Sequence, residues 1–503
     1  MANLTGYNIL ISCIAAIGGY SYGYGASGFA TSIGQPGFFE YFDLDPGSTY
    51  TANILGAINA LFYFGLAVGS VITGWLADVI GRKKTFGLAA TLALIGSALV
   101  TGSAAIAMLI VVRIIQGIGL GMLLCVVPLY LTEIAPPHRR GMIAGLTTVS
   151  FTTGYGICAW VSVGTYYAKS PTVQWRLPLG LTCVGPALIL AGLYFIPESP
   201  RYLTLIGKND EAWQVLQKIH HDPYDPEDSA AHAEHSQIVR QIAFDKELDT
   251  GWIQMLTKPS WRRRCLLAFF IQFASQSAGI LGIANFITII FSNLGMTGVM
   301  PLLLYAILTT VGEAAVILSM FIIDRVGRRT LFLIGFPLSG CVVLIEALLQ
   351  WKYLDSSNET GLRGAVAMIY VYFFVFCTCV DVTAFVWMSE IFPTTIRSRG
   401  ISIGFFAYFV GAITYTTPAA LQMKTVKYNI FYLYMALCFV STAIIYFFVP
   451  ETKQIPIEEI GALFGDEVVV HLTEDGRAIK EDLTTKQGTQ VVESHYEEKV
   501  ALS

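Results

Sequence analysis

The chain has 503 residues and a formal net charge of −4; 54% of it is hydrophobic and 13% charged, about half the roughly 25% usual in soluble domains. With a mean hydropathy of +0.60, so much apolar surface cannot be hidden inside soluble cores and calls for a lipid bilayer. A pI near 6.0 without basic clusters argues against a nucleic-acid binder, nine cysteines set within apolar runs argue against a disulfide framework, and Cys377-x-Cys379 lacks the second ligand pair that zinc needs.

The first apolar run, 8–30, lacks a basic n-region and reads as a retained span, not a cleaved signal peptide. Eleven more runs of about 20 mostly apolar residues follow, at 53–77, 85–104, 106–131, 142–165, 177–197, 265–291, 300–323, 330–351, 364–388, 400–422 and 428–449. An even number puts both termini on one side. The short loops after the second, fourth, eighth and tenth runs hold ten Lys and Arg. The six loops on the other side hold six, and the first of them carries Glu40, Asp43 and Asp45. This bias predicts cytoplasmic termini, and the plasma membrane is the expected location. Asn358-Glu-Thr360 then lies outside as a glycosylation acceptor, whereas Asn3-Leu-Thr5 faces the cytosol.

Two stretches are polar. Between the sixth and seventh runs, Ala212, Val215, Leu216 and Ile219 recur at helical spacing behind Asn209 and Asp210, which predicts a short amphipathic helix. After Pro450 the tail holds 12 Asp and Glu against 5 Lys and Arg. A short helix is expected from Pro456-Ile457-Glu458-Glu459-Ile460, and disorder beyond Asp466.

Three patterns occur twice, in the same order. Asp78-x-x-Gly81-Arg82 returns as Asp324-x-x-Gly327-Arg328. Glu133-Ile-Ala-Pro136 with Arg139 returns as Glu390-Ile-Phe-Pro393 with Arg397, and Pro197-Glu198 returns as Pro450-Glu451. Each copy follows the matching helix of a six-helix half. The sequence therefore predicts an all-α membrane protein of twelve transmembrane helices arranged as two six-helix repeats, the plan of a transporter that rocks its halves about a central site. The boundaries are 1–197 and 265–449 for the halves, 198–264 for a cytoplasmic linker with short helices, and 450–503 for the tail.

These motifs, with Arg113-x-x-x-Gly117-x-Gly119-x-Gly121, Pro197-Glu-Ser-Pro-Arg201, Ser389-Glu-Ile-Phe-Pro393 and Pro450-Glu-Thr-Lys453, resemble the sugar-porter branch of the major facilitator superfamily, especially fungal sugar transporters. The resemblance covers all twelve spans and implies the major facilitator fold. It also implies that Asp78, Arg82, Arg113, Glu133, Arg139, Glu198, Asp324, Arg328, Glu390 and Arg397 form a charge network closing the cytoplasmic side, with Arg113 meeting Glu133 or Glu198. Positive-inside topology alone would also place charges in these loops.

The family's sugar-binding amides are mostly replaced. Its helix 7 pattern Gln-Gln-x-x-Gly-Ile-Asn is here Ser275-Gln276-Ser277-Ala278-Gly279-Ile280-Leu281. Its other contacts fall on Thr148, Gly312, Phe385 and Tyr408. The candidate substrate contacts are Gln272, Gln276, Asn285, Thr148, Phe385, Trp387 and Tyr408; ordinary packing and hydrogen bonding between helices would account for the same residue types. Proton-coupled relatives carry an Asp in helix 1 where this chain has Tyr22-Gly23-Tyr24-Gly25. Intramembrane acids are functional candidates, and Glu313 and Asp381 are the proton-coupling candidates here. Glu346, nearer the end of its run, reads as interfacial.

The expected function is alternating-access transport of a monosaccharide, with proton symport as an option. The alternative is another hydroxylated solute (a polyol, sugar acid, quinate or secondary metabolite), followed by a non-transporting nutrient sensor. The expected partners are the solute, protons and the bilayer; no cofactor, metal, nucleic acid or enzymatic chemistry is expected.

Overall fold

Backbone N–H and C=O groups cannot stay unpaired in lipid, so apolar runs of this length fold as helices. The computed structural model describes residues 6–46, 48–136, 140–220, 228–245, 251–354, 358–393, 395–453, 455, 459–466, 471–472 and 479–480. Among the described residues, twelve helices are long and apolar enough to cross a membrane. We number them spans 1–12: Gly6–Ser32, Thr49–Ile80, Arg82–Thr101, Ile106–Ile134, Met142–Tyr166, Pro171–Gly192, Pro259–Ala284, Met300–Val326, Arg328–Tyr353, Glu359–Glu390, Arg397–Gln422 and Asn429–Phe448.

Every expected run becomes a span, and the two largest shifts of a start have one cause. Spans 6 and 7 begin early, at Pro171 and Pro259, because proline at the first helical turn lacks only an N–H that would be unpaired anyway. Span 7 is also broken. It is helical to Ser277, turns at Gly279 (φ 93°) against the ring of Tyr434, and resumes over Ile280–Ala284. Span 10 widens to a π-helical turn over Cys377–Asp381, a distortion frequent at functional sites.

Within the first six spans, span 2 packs on span 4, span 1 on span 5 and span 3 on span 4. Within the last six, span 7 packs on span 11 and span 9 on spans 10 and 12. The halves meet most extensively through two pairs, span 2 with span 11 and span 5 with span 8. Advancing by six exchanges these two pairs, so the halves meet through a pseudo-twofold relation. Large apolar side chains such as Trp75, Phe321 and Phe447 stay exposed, as a lipid-facing surface requires.

The linker forms the helices Pro200–Leu205, Asn209–His220, Ser229–Asp245 and Trp252–Thr257. Ala212, Leu216 and Ile219 are buried, as the amphipathic reading expects. In the tail, Glu459–Phe464 makes a short 3₁₀ helix that buries Ile460 and Phe464. Beyond it, Asp466 accepts from Arg264 Nη2 (2.5 Å) and Ser260 Oγ (2.6 Å). Residues 456–458 lie outside the described residues. So does the stretch after Asp466 where disorder is expected, apart from His471–Leu472 paired antiparallel with Ile479–Lys480.

Candidate functional site

Two arginine clusters form a charge belt at the motif-bearing end. Arg82 donates through Nε and Nη2 to both oxygens of Glu133 (3.0 and 2.8 Å), and its own backbone N–H donates to Glu198 (2.8 Å). In the second half Arg328 grips Glu390 in the same bidentate way (3.2 and 2.8 Å), and its N–H donates to Glu451 (2.8 Å). Asp78 and Asp324 stand one turn before their arginines, at 3.6 and 2.8 Å. Glycine is required between them. Gly81 (φ 91°) and Gly327 (φ 104°) adopt backbone angles that other residues avoid, and a Cβ at either would strike the carboxylate of Glu198 or Glu451. Burial pushes the Glu198 carboxyl above its ordinary pKa, opposed by the N–H groups of Ser199, Lys83 and Arg82 and by the Arg82 charge.

The two arginine–glutamate pairs lie within each half. Among the belt acids, Asp78 reaches across: it accepts from Ser398 Oγ (2.6 Å), with Arg399 Nε at 3.7 Å. Beside it, Ser402 Oγ donates to Ser70 O (2.6 Å). Arg397 is wholly buried and donates Nε–H to Phe392 O (3.2 Å). Arg139 lies outside the described residues. Glu451 and Ser398 were missed as site residues, although the Pro197-Glu198 repeat already pointed to Glu451.

Arg113 is a correction. It sits near the start of span 4, whereas Glu133 lies at the far end of the same helix, about 30 Å away at 1.5 Å per residue. Its Nη1 donates to Gly25 O (3.3 Å) and Gln116 Oε1 (2.9 Å), and its guanidinium lies over the rings of Phe29 and Phe62 (5.0 and 4.7 Å). It is no part of the belt.

In the middle of the molecule the two halves meet in a cluster of aromatic rings. Phe385 of span 10 touches Phe151 of span 5 and Phe405 and Tyr408 of span 11, each at 5.5 Å between centroids. Tyr22 of span 1 packs on Phe151 and Phe409. The phenols of Tyr22, Tyr63, Tyr155, Tyr305 and Tyr408 lie within electrostatic reach of one another. Asn285 Nδ2 donates across the halves to Tyr63 Oη (2.9 Å), and Tyr305 Oη pairs with Ser27 Oγ (3.2 Å). The buried hydroxyls of Tyr22 and Tyr155 interact with each other, and that of Tyr22 with Tyr408, without close hydrogen-bond geometry, while the Thr148 hydroxyl and the carbonyl oxygen of Gln276 are buried without a partner.

Thus Phe385, Tyr408 and Asn285 adjoin one region, with Thr148 one turn before Phe151 in span 5 and Gln276 against Gly411, one turn after Tyr408 in span 11. Gln272 instead ties span 7 to span 10, donating to Ala384 O (3.1 Å). Trp387 is a second correction: its indole N–H donates to Pro450 O (3.4 Å), toward the belt and away from the cluster. Tyr63, Tyr155 and Tyr305 were missed. Tyrosine passes as apolar filler in a span, and only the rotation of the helices shows the rings converging.

The candidate proton groups lie beside this cluster. Glu313 Oε1 accepts from Thr153 Oγ1 of the other half (2.6 Å), while its Oε2 is buried and unpartnered. Asp381 ends the π-helical turn, within electrostatic reach of Tyr408; Cys377 in the same turn is within reach of both Asp381 and Glu313. Glu346, expected near an interface, is buried and accepts from Gln350 (2.7 Å) in span 9. Asn358 is exposed and caps span 10, its Oδ1 accepting from Gly361 N (3.2 Å).

Residues 11–464 match the family model described as "Sugar (and other) transporter". The MFS-type transporter criB of Aspergillus cristatus is 30% identical over 471 residues, 93% of this chain and 96% of that protein. The high-affinity glucose transporter 1 of Candida albicans is 28% identical, over 92% of this chain and 87% of its own. Among solved structures, the proton:xylose symporter XylE bound to 6-bromo-6-deoxy-D-glucose superposes with a TM-score of 0.80 at 22% identity. It covers 92% of this chain and 100% of that one.

Proposed function

The chain belongs to the sugar (and other) transporter family of the major facilitator superfamily, and from that membership we propose that it carries a monosaccharide by alternating access, driven by protons. It is a multi-pass membrane transporter, not an enzyme. The observation behind the substrate reading is the set of unsatisfied polar atoms at the centre. Buried donors and acceptors without close partners cost free energy, and a sugar's hydroxyls supply those partners to Tyr22, Tyr155, Thr148 and Gln276 beside Asn285. The glucose transporter and the xylose symporter among its relatives favour the same class of cargo. A second reading, another hydroxylated solute, is favoured by Tyr408, which puts a ring where the family pattern has an amide.

In this reading the halves, 1–197 and 265–449, rock about the cluster, joined by the linker 198–264 and followed by the tail 450–503. The belt faces the cytoplasm together with both termini. Asp78 holds that side closed through Ser398, the residue after Arg397, and Arg139 belongs by its motif to the same gate. Exposed Asn358 becomes a glycosylation acceptor on the outer face of the plasma membrane. The Glu313–Thr153 bond spans the halves, and protonating Glu313 removes the charge that strengthens it. Proton arrival and separation of spans 5 and 8 are thereby coupled, with Asp381 as the neighbouring acid.

The test is labelled glucose uptake in yeast lacking its own hexose porters, with surface expression confirmed and external pH varied. We expect saturable uptake that accumulates more at acidic pH. Glu313→Gln keeps downhill flux and loses pH-dependent accumulation. Full accumulation in that variant rejects Glu313 as the coupling group, and no uptake by well-expressed protein rejects the hexose reading.

A further inference from the structure

We propose that Arg113 recognises a carboxylate on the cargo, so that the preferred substrate is an acidic monosaccharide. The proposal rests on the reading of the central cluster as a solute site and narrows its substrate class.

Three other buried guanidinium groups in this chain hold carboxylates. Arg82, Arg328 and Arg264 each have one at 2.8, 2.8 and 2.5 Å. Arg113 is as deeply buried, at 1% exposure, yet among the described residues its polar partners are two neutral oxygens, and its Nε–H has none. A cation in a transmembrane helix is costly without an anion, and the faces of Phe29 and Phe62 offset the charge without using that donor. The groups around it are neutral on every side: Gly25 and Phe29 of span 1, Phe62 and Tyr63 of span 2, Gln116 of span 4 and Cys158 of span 5.

No side chain takes the place of the anion at the nearest backbone position. Position 25 is glycine, and a Cβ there would come within 2.5 Å of Leu120 Cδ1 and 3.2 Å of Thr182 Cγ2. Apolar groups from spans 4 and 6 fill that volume.

Tyr63 connects the charge to the cluster. It lies within electrostatic reach of Arg113, and its hydroxyl accepts from Asn285. One phenol therefore separates the guanidinium from the groups that would hold sugar hydroxyls. A solute with a carboxylate at one end can meet the free Nε–H of Arg113 while its hydroxyls satisfy the orphaned phenols. Charge-assisted pairing with a guanidinium is stronger than a neutral hydrogen bond, so such a solute has the advantage over its uncharged counterpart.

D-Galacturonate and D-galactose differ at C6 as carboxylate and hydroxymethyl, and both are measured as labelled substrates in the same yeast. We expect a KM for galacturonate at least about tenfold below that for galactose. Arg113→Gln should reduce this preference at least about tenfold. Gly25→Asp combined with Leu120→Ala should do the same by giving Arg113 an internal anion, and it answers the question if Arg113→Gln fails to reach the surface. Galactose uptake without galacturonate uptake overturns the proposal alone, as does a preference unchanged in both variants. Uptake of neither by well-expressed protein overturns the solute-site reading as well.

Discussion

The belt and the central cluster are both buried and polar, and they treat their polar atoms in opposite ways. In the belt, both oxygens of Glu133 and of Glu390 are held by an arginine, and the pattern is built twice with nearly the same bond lengths. In the centre, hydroxyls from spans 1 and 5 and an amide oxygen from span 7 have no close partner, and neighbouring positions are filled by rings. A set of groups that saturate one another holds a shape. A set that does not is completed by something that arrives. The contrast separates scaffold from site without reference to any motif.

The sharpest way to break the comparison is to unpair the belt. Glu133→Leu leaves the wholly buried Arg82 guanidinium with only the more distant Asp78 carboxylate, at 3.6 Å. Removing one partner of a buried ion pair costs about 3–5 kcal/mol, so the variant should lose most of its folded yield and show a clearly lower Tm in detergent. Glu390→Leu should behave alike, because Arg328 occupies the equivalent place. Wild-type melting of both variants would mean that the belt is not structural.

The centre should respond in the reverse sense. Tyr22→Phe deletes a hydroxyl that has no close hydrogen bond in the chain and meets only the phenols of Tyr155 and Tyr408, so Tm should barely move. If a sugar hydroxyl satisfies that phenol during transport, about 0.5–1.5 kcal/mol of binding is lost, and KM should rise roughly two- to tenfold. A fall in Tm with unchanged KM would assign Tyr22 to the scaffold.

The two regions also differ in how far sequence reveals them. The twelve spans are legible because bilayer thickness fixes the length of an apolar run. The belt is legible because each arm is a short local motif and occurs twice. Arg113 was misassigned because the motif names a residue without its depth, and span 4 carries it at the end opposite the belt. Trp387 failed for a rotational reason. Two residues along a helix are about 200° apart, so Phe385 can enter the cluster while Trp387 turns to Pro450. The tyrosines were invisible because a phenol within an apolar run carries no periodic signal.

The smallest predicted effect asks whether the belt stands without the linker that leans on it. The indole of Trp213 stacks on His232 (4.0 Å) and meets His235 edge-on (5.6 Å), which joins the helices Asn209–His220 and Ser229–Asp245. Burial holds the His235 imidazole below its ordinary pKa, and the neighbouring His232 adds to this, against the pull of Asn209 and Asp210. A depressed folded pKa means that the stacked form favours neutral His235. Its contribution is complete above the unfolded value of about 6.5 and is lost as pH falls through the lower folded value. Amide exchange, corrected for the intrinsic rate, should therefore show both linker helices losing protection between about pH 7 and 5. Over the same range the amides of Arg82 and Lys83, held by Glu198, should stay protected. Loss at both places together would make belt and linker one cooperative unit, and flat protection at both would show that the stack does not depend on a neutral imidazole.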